Sequence, residues 1–165
     1  MRSRKMCKQK IIETIMRVVV QRVIAASVEV DREIVGSIGQ GMLLLVGFEN
    51  DDTNEDVDWM VGKLSRLRIF DDEQGVMNLS IMDMKGESLV VSQFTLHAKT
   101  KKGNRPSYIN AAHPDLAIPL YKTFVEKLKS QSGQPVQKGI FGANMLVSLK
   151  NDGPVTIIID TKNKE

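Results

Sequence analysis

The chain has 165 residues and a mass of 18.4 kDa, 42% apolar and 26% charged, which suits one globular domain and excludes wholesale disorder. No apolar run reaches the roughly 18 residues of a spanning helix, and the single cysteine, Cys7, excludes an internal disulfide framework and a multi-thiolate metal site. The net charge is +3, but residues 1–15 carry +4 of it through Arg2, Arg4, Lys5, Lys8 and Lys10 against Glu13, so the rest sums to −1 and a nucleic-acid partner must be argued from a local patch.

Residues 1–15 read as a basic extension ahead of the domain, either a frayed segment or the product of a start upstream of Met16. They lack the apolar stretch and small-residue cleavage site of a secretory signal, and only their charge speaks for an organelle address. The lone cysteine fits a reducing compartment, and a cytoplasmic location is expected.

From Met16 the pattern predicts strands. Met16 to Ile24 is valine-rich, Ser27 to Val30 alternates, Asp31 to Glu33 turns, and Ile34 to Ile38 completes a hairpin. Met42 to Phe48 is nearly all apolar, as in a strand buried on both faces. Thr53 caps a first helix, with Glu55 and Asp56 at the positive end of its dipole. Val57, Met60, Val61, Leu64 and Leu67 form its apolar stripe, with Trp59 at the edge. Asp71 to Gly75 is a turn, and Val76 to Met82 and Ser88 to Leu96 are extended. A polar loop spans 97–107. A second helix runs from about Pro114 to Gln131 on Leu120, Tyr121, Phe124, Val125 and Leu128, with Pro119 inside it and Gly133 closing it. Val136 to Gly139, Met145 to Asn151 and Val155 to Asp160 are the last strands. The expected architecture is α+β: a mixed, largely antiparallel, barrel-like sheet with two main helices in one compact domain over residues 16–162.

Phosphate-cradling loops, dinucleotide fingerprints and zinc spacings are absent. His97 reads as a loop histidine and His113, beside Pro114, as a helix-start residue. Three segments carry more polar character than structure alone explains. Ser92-Gln93-Phe94-Thr95-Leu96 ends a buried strand with three polar side chains. Lys101-Lys102-Gly103-Asn104-Arg105-Pro106-Ser107-Tyr108 is the one compact basic cluster of the body. Asn151-Asp152-Gly153-Pro154-Val155-Thr156 interrupts two strand-like stretches.

In combination these segments resemble the D-aminoacyl-tRNA deacylase family. Ser92 to Leu96 is similar to its first signature and Asn151 to Thr156 to its second, Asn-x-Gly-Pro-Val-Thr. The similarity extends to Met16–Val23, Gly75–Ser80, Gly103–Ser107 and Phe141–Ala143, and so covers about residues 16–160.

The resemblance implies a homodimer with active sites at the subunit interface. These sites would hydrolyse the ester joining a D-amino acid to the terminal adenosine of tRNA, with no metal and no cofactor. It implies a catalytic segment of Ser92, Gln93, Phe94 and Thr95. It also implies a wedge of Gly153 and Pro154, supported by Asn151, Val155 and Thr156, that enters the partner's pocket with a cis peptide bond. Such a wedge would reject L residues by clash and leave D residues, and glycine, little inspected. Catalysis is expected to rest on positioning, backbone N–H groups and the 2′-hydroxyl of the RNA. Thr95 is expected to position substrate rather than attack it, since no activating base is evident. Lys101, Lys102 and Arg105 are the expected tRNA phosphate contacts. His97, where the family often has tyrosine, and Asn144 and Leu146 depart from its pattern. Two other readings remain open: a non-catalytic nucleic-acid-binding dimer that keeps the fold, and an L-editing relative with a trans Gly-Pro bond.

Overall fold

A computed structural model describes residues 16–164. The basic extension at 1–15, with Cys7, lies outside the described residues. Strand β1 (Arg17–Val30) is the organising element, and β2 (Glu33–Ile38) returns beside its second half. Asp31 and Arg32 make the tight turn between them with φ of 50° and 68°, the backbone that a two-residue hairpin requires. Strand β3 (Gly41–Gly47) pairs antiparallel with the first half of β1. Strand β8 (Leu146–Asp160) runs antiparallel along the other edge of β1 for nearly its whole length.

Strands β6 (Glu87–Ser92) and β7 (Val136–Lys138) extend the sheet in parallel, in the order β2-β1-β3-β6-β7. Strands β4 (Phe70–Asp71) and β5 (Met77–Leu79) form a separate small hairpin. The sheet curls until β2 meets β7. A Cβ on Gly36 would lie 2.9 Å from the Lys138 carbonyl oxygen, so only glycine lets the barrel come this close to closing.

Helix α1 (Asn54–Arg66) begins at Thr53, whose side chain and that of Asp56 form a reciprocal capping box. Helix α2 (Pro114–Ser132) starts on His113, whose Nδ1 accepts the Asp115 N–H, and ends on Gly133 with φ of 66°. Pro119 sits in its second turn. Both helices pack on one side of the sheet. Val57, Met60, Val61 and Leu64 meet Leu120, Tyr121, Phe124 and Leu128 over Val18, Val20, Leu44 and Val90. A smaller core of Val23, Val28, Leu43, Leu89 and Val91 fills the barrel interior. No helix among the described residues is long and apolar enough to cross a membrane.

The elements differ from expectation at four places. The two N-terminal strands are one, and so are the two C-terminal strands: Gly153-Pro154 lies inside β8 and does not end it. Strand β6 stops at Ser92, and Phe94–His97 is a 3-10 turn, not the end of a strand. Of Val76 to Met82, only Met77–Leu79 pairs.

Candidate active site

At the C-terminal ends of the parallel strands β3 and β6 the sheet opens into a cleft of about 250 Å³. Gly47, Ser92, Gln93 and Phe94 line one side, and Phe141, Gly142, Ala143 and Met145 the other. Segments almost fifty residues apart in sequence thus share one pocket. No titratable side chain lines it among the described residues. Its polar character comes from Ser92, Gln93 and the backbone.

The Ser92–Thr95 segment is held tightly. The Gln93 N–H donates to Val46 O at 2.7 Å, which keeps the chain on the sheet as β6 ends. The Gln93 side-chain amide donates to Thr95 Oγ1, folding the two polar side chains onto each other. Thr95 does not line the cleft, and Gln93 is the partner of its hydroxyl. An amide donor cannot take a proton from the hydroxyl it bonds.

Behind this segment the structure places a group that sequence reasoning misjudged. His97 is 5% exposed, so it is no loop histidine. Its Nδ1 lies 3.2 Å from Glu49 Oε1, and its Nε2 lies against Gly47, where a Cβ would come within 3.0 Å. Gly47 therefore leaves room for both the ring and the Gln93 carbonyl, which would stand 2.8 Å from such a Cβ. Beside Glu49, buried Asp52 accepts the Glu49 N–H at 2.7 Å, and burial pushes its carboxyl up to about 7.

Arg17 also fastens the segment. Its guanidinium grips Asp160 with Nε at 2.8 Å and Nη2 at 3.2 Å, and Nη1 donates to the Leu96 carbonyl at 2.9 Å. The bond to Asp160 holds the Arg17 pKa above its ordinary value.

The second signature lies elsewhere. Gly153 and Pro154 are exposed on β8 and do not line the cleft of their own chain. Their peptide bond is cis. Asn151 spans the irregularity, its Nδ2 donating to Arg22 O and Val155 O at 2.9 Å each. Buried Arg22 pins it from below: Nε donates to Asp152 O at 3.1 Å and lies 3.2 Å from Asp152 Oδ2, while Nη1 reaches Ile69 O at 2.8 Å and Asp71 Oδ1 at 3.1 Å. Gly153 has φ of 122°, and a Cβ there would lie 2.9 Å from Arg22 Nη2 and from Val155 Cγ2. Only glycine fits. Thr156 faces outward and accepts from Gln21 at 3.2 Å.

A family model described as D-Tyr-tRNA(Tyr) deacylase matches residues 19–160. Proteins named D-aminoacyl-tRNA deacylase from Parabacteroides distasonis and Flavobacterium psychrophilum are 60% and 61% identical over 150 residues, covering 91% of this chain and 100% of each relative. The chain belongs to the D-aminoacyl-tRNA deacylase family. It is an enzyme of that family. A solved structure of a c-Myc DNA unwinding element binding protein superposes with a TM-score of 0.82 at 41% identity, covering 87% of this chain and 97% of that one. A probable eukaryotic D-amino acid tRNA deacylase shares the fold, with a TM-score of 0.77 at 21% identity over 88% of this chain and 99% of that one.

Within this deacylase fold the basic loop is anchored beside the cleft. The Lys99 and Ser107 backbones pair at 2.8 and 2.9 Å, closing a loop that leaves Lys101, Lys102 and Arg105 exposed. Tyr108, next along, packs edge-on against Phe94 with ring centroids 5.0 Å apart. The loop and the Ser92–Thr95 segment are therefore joined by an aromatic contact. The Gly75–Ser80 stretch belongs to the small hairpin whose Ile69 and Asp71 hold Arg22, at the Gly153-Pro154 end.

Proposed function

We propose that this chain hydrolyses the ester of D-aminoacyl-tRNA, glycine on tRNA included, as a homodimer in the cytoplasm. One observation carries the reading: Ser92-Gln93-Phe94 and Phe141-Gly142-Ala143 meet in one cleft, while the rigid Gly153-Pro154 segment is exposed and absent from it. A second copy that lends its Gly153-Pro154 to this cleft would complete the pocket. Ile24, Leu146 and Leu149 are exposed on β1 and β8, and a partner would cover such apolar surface.

The reaction needs little from side chains. Water adds to the ester carbonyl, the developing oxyanion takes N–H donors, and the C–O bond to the ribose breaks. The ribose oxygen takes a proton, leaving free D-amino acid and tRNA. The Gln93 N–H is engaged by Val46, so Phe94 and Thr95 at the start of the 3-10 turn supply the donors. The neighbouring 2′-hydroxyl of the RNA assists proton movement, consistent with a cleft lined by no acid or base. Phe94, 57% exposed, offers its ring to the terminal adenine. Carbonyl oxygens of the partner's Gly153 and Pro154 hold the substrate ammonium and block the direction of an L side chain. Lys101, Lys102 and Arg105 meet acceptor-stem phosphates.

The DNA-binding name of the 41% identical structure favours a second reading, a nucleic-acid-binding dimer without catalysis. A deacylation time course with matched D- and L-tyrosyl-tRNA decides between them. Loss of the D ester alone, abolished in Gly153→Ala, is the expected result. Neither ester hydrolysed, with tRNA still bound, would establish the second reading.

A further inference from the structure

A second cleft, of about 430 Å³, lies between α1 and the C-terminal end of β8. Trp59, Lys63 and Leu67 of the helix side face Ile157, Ile158, Ile159 and Asp160 of the strand, with Asn163 and Lys164 beyond. The indole is half-buried against the main core and keeps part of its surface open. Two ammonium groups stand over it: Lys164 Nζ at 4.5 Å from the ring centroid and Lys63 Nζ at 5.6 Å. The one carboxylate in the lining, Asp160, is gripped by Arg17 and so does not oppose an anion. Lys162, next to this wall, is bonded to Asp56 at 2.9 Å.

An aromatic face flanked by lysines is what an unpaired nucleotide needs, a surface for the base and cations for its phosphates. The cleft is also well placed. Arg17 binds Asp160 of this cleft on one side and the Leu96 carbonyl of the reactive segment on the other. Arg17 thus ties a wall of this cleft to the 3-10 turn that follows Gln93 and Phe94 of the first cleft. We propose that Trp59, Lys63 and Lys164 form a stacking platform for single-stranded RNA, which takes unpaired nucleotides next to the one held at the reaction cleft. This rests on the aminoacyl-tRNA reading of the first cleft. On binding, a base would displace Lys164 from the indole face, and both lysines would turn to phosphate.

Trp59 is the only tryptophan of the chain, so its fluorescence reports on this cleft alone. The protein is titrated with deacylated tRNA and with the same tRNA trimmed of its unpaired 3′ end. Quenching by the intact tRNA and little by the trimmed one is expected. Trp59→Leu keeps the apolar packing but removes the stacking surface. It should weaken binding of labelled tRNA about tenfold and raise KM while leaving kcat unchanged. Lys63→Ala with Lys164→Ala should lower the salt slope of binding by about 1.4, at about 0.7 per charge on a single strand.

Fluorescence unmoved by tRNA, in a preparation that deacylates D-tyrosyl-tRNA, overturns the platform and leaves the hydrolase reading intact. Quenching without deacylation keeps the platform and overturns the hydrolase reading. Emission that follows protein concentration without RNA assigns the cleft to a second copy and also overturns the platform.

Discussion

The two signature regions are built on opposite plans. The cleft at Ser92–Phe94 is lined by apolar side chains, two polar side chains and backbone, and its ionisable groups are kept out of the lining, as His97 and Glu49 are. The segment at Gly153-Pro154 lines neither cleft, yet a buried arginine and an asparagine spend their hydrogen bonds holding it. A site that must accept a substrate can work by shape and N–H donors. On the proposed reading Gly153-Pro154 excludes a substrate, and that needs stiffness, since a wedge that yields excludes nothing. The placing of charge, behind the one region and beneath the other, follows that division of labour.

Removing the pin should break the comparison most severely. Arg22→Met leaves Asp152, Asp71 and the Ile69 carbonyl without their buried partner, and a loss of about 3 kcal/mol is expected in a urea melt. Below the melting range, the surviving fold should hydrolyse L-tyrosyl-tRNA while still acting on the D ester. A variant that melts early but keeps full discrimination would separate Arg22 from specificity. At the other region, Gln93→Leu frees the Thr95 hydroxyl and leaves the backbone bond to Val46 in place. Single-turnover rates should fall ten- to a hundredfold, about 1.4 to 2.7 kcal/mol in the barrier, with Tm nearly unchanged. An unchanged rate would put the work of this segment in its backbone alone.

How legible these regions are from sequence follows how local their causes are. Thr53, Pro114 and Gly133 mark the helix ends because capping is settled within one turn. The Ser92 segment is legible as unusual but not as a 3-10 turn, because the room for it comes from Gly47 and the clamp from Arg17, both distant in sequence. His97 reads as a loop residue for the same reason: its partner Glu49 lies on another strand's exit. Gly153-Pro154 reads as a break between strands, since glycine and proline usually are breaks. Only Asn151 and Arg22, bonding across the irregularity, let β8 continue through it. The second cleft shows in sequence only as Trp59 at the margin of a helical stripe, since its other wall comes from the chain's last strand.

The charge behind the reaction cleft carries a cost that pH reveals. The Asp52 carboxyl, pushed by burial to about 7 from an unfolded value near 3.8, binds its proton more tightly when folded. Its ionisation therefore costs little at pH 4, progressively more as pH rises, and the full amount above pH 7. Asp52→Asn keeps an oxygen for the Glu49 N–H and removes the charge. It should stabilise by about 1 kcal/mol at pH 4.5 and by about 4 kcal/mol at pH 8, each tenfold difference in proton affinity being worth about 1.4 kcal/mol. Thermal melts at the two pH values test this. Equal effects at both would show that Asp52 acts through its turn geometry and not its charge.

The smallest expected effect concerns the join between the basic loop and the cleft. Tyr108→Leu keeps apolar bulk beside Phe94 but loses an edge-to-face contact worth about 0.5–1.5 kcal/mol. Tyr108 is 39% exposed, so much of that contact is traded for water and the stability change should be near the lower end. The kinetic effect is more telling. If the loop acts only as a field of charge, Tyr108→Leu leaves the rate and the salt slope alone, whereas Lys101→Ala, Lys102→Ala and Arg105→Ala together lower the slope by about 2.7, at about 0.9 per charge on a duplex. If the loop also sets the angle of the Phe94 ring, Tyr108→Leu raises KM a few-fold at every salt concentration with the slope unchanged. That second outcome is the expected one, because the paired backbones of Lys99 and Ser107 already fix the loop's base next to the ring contact.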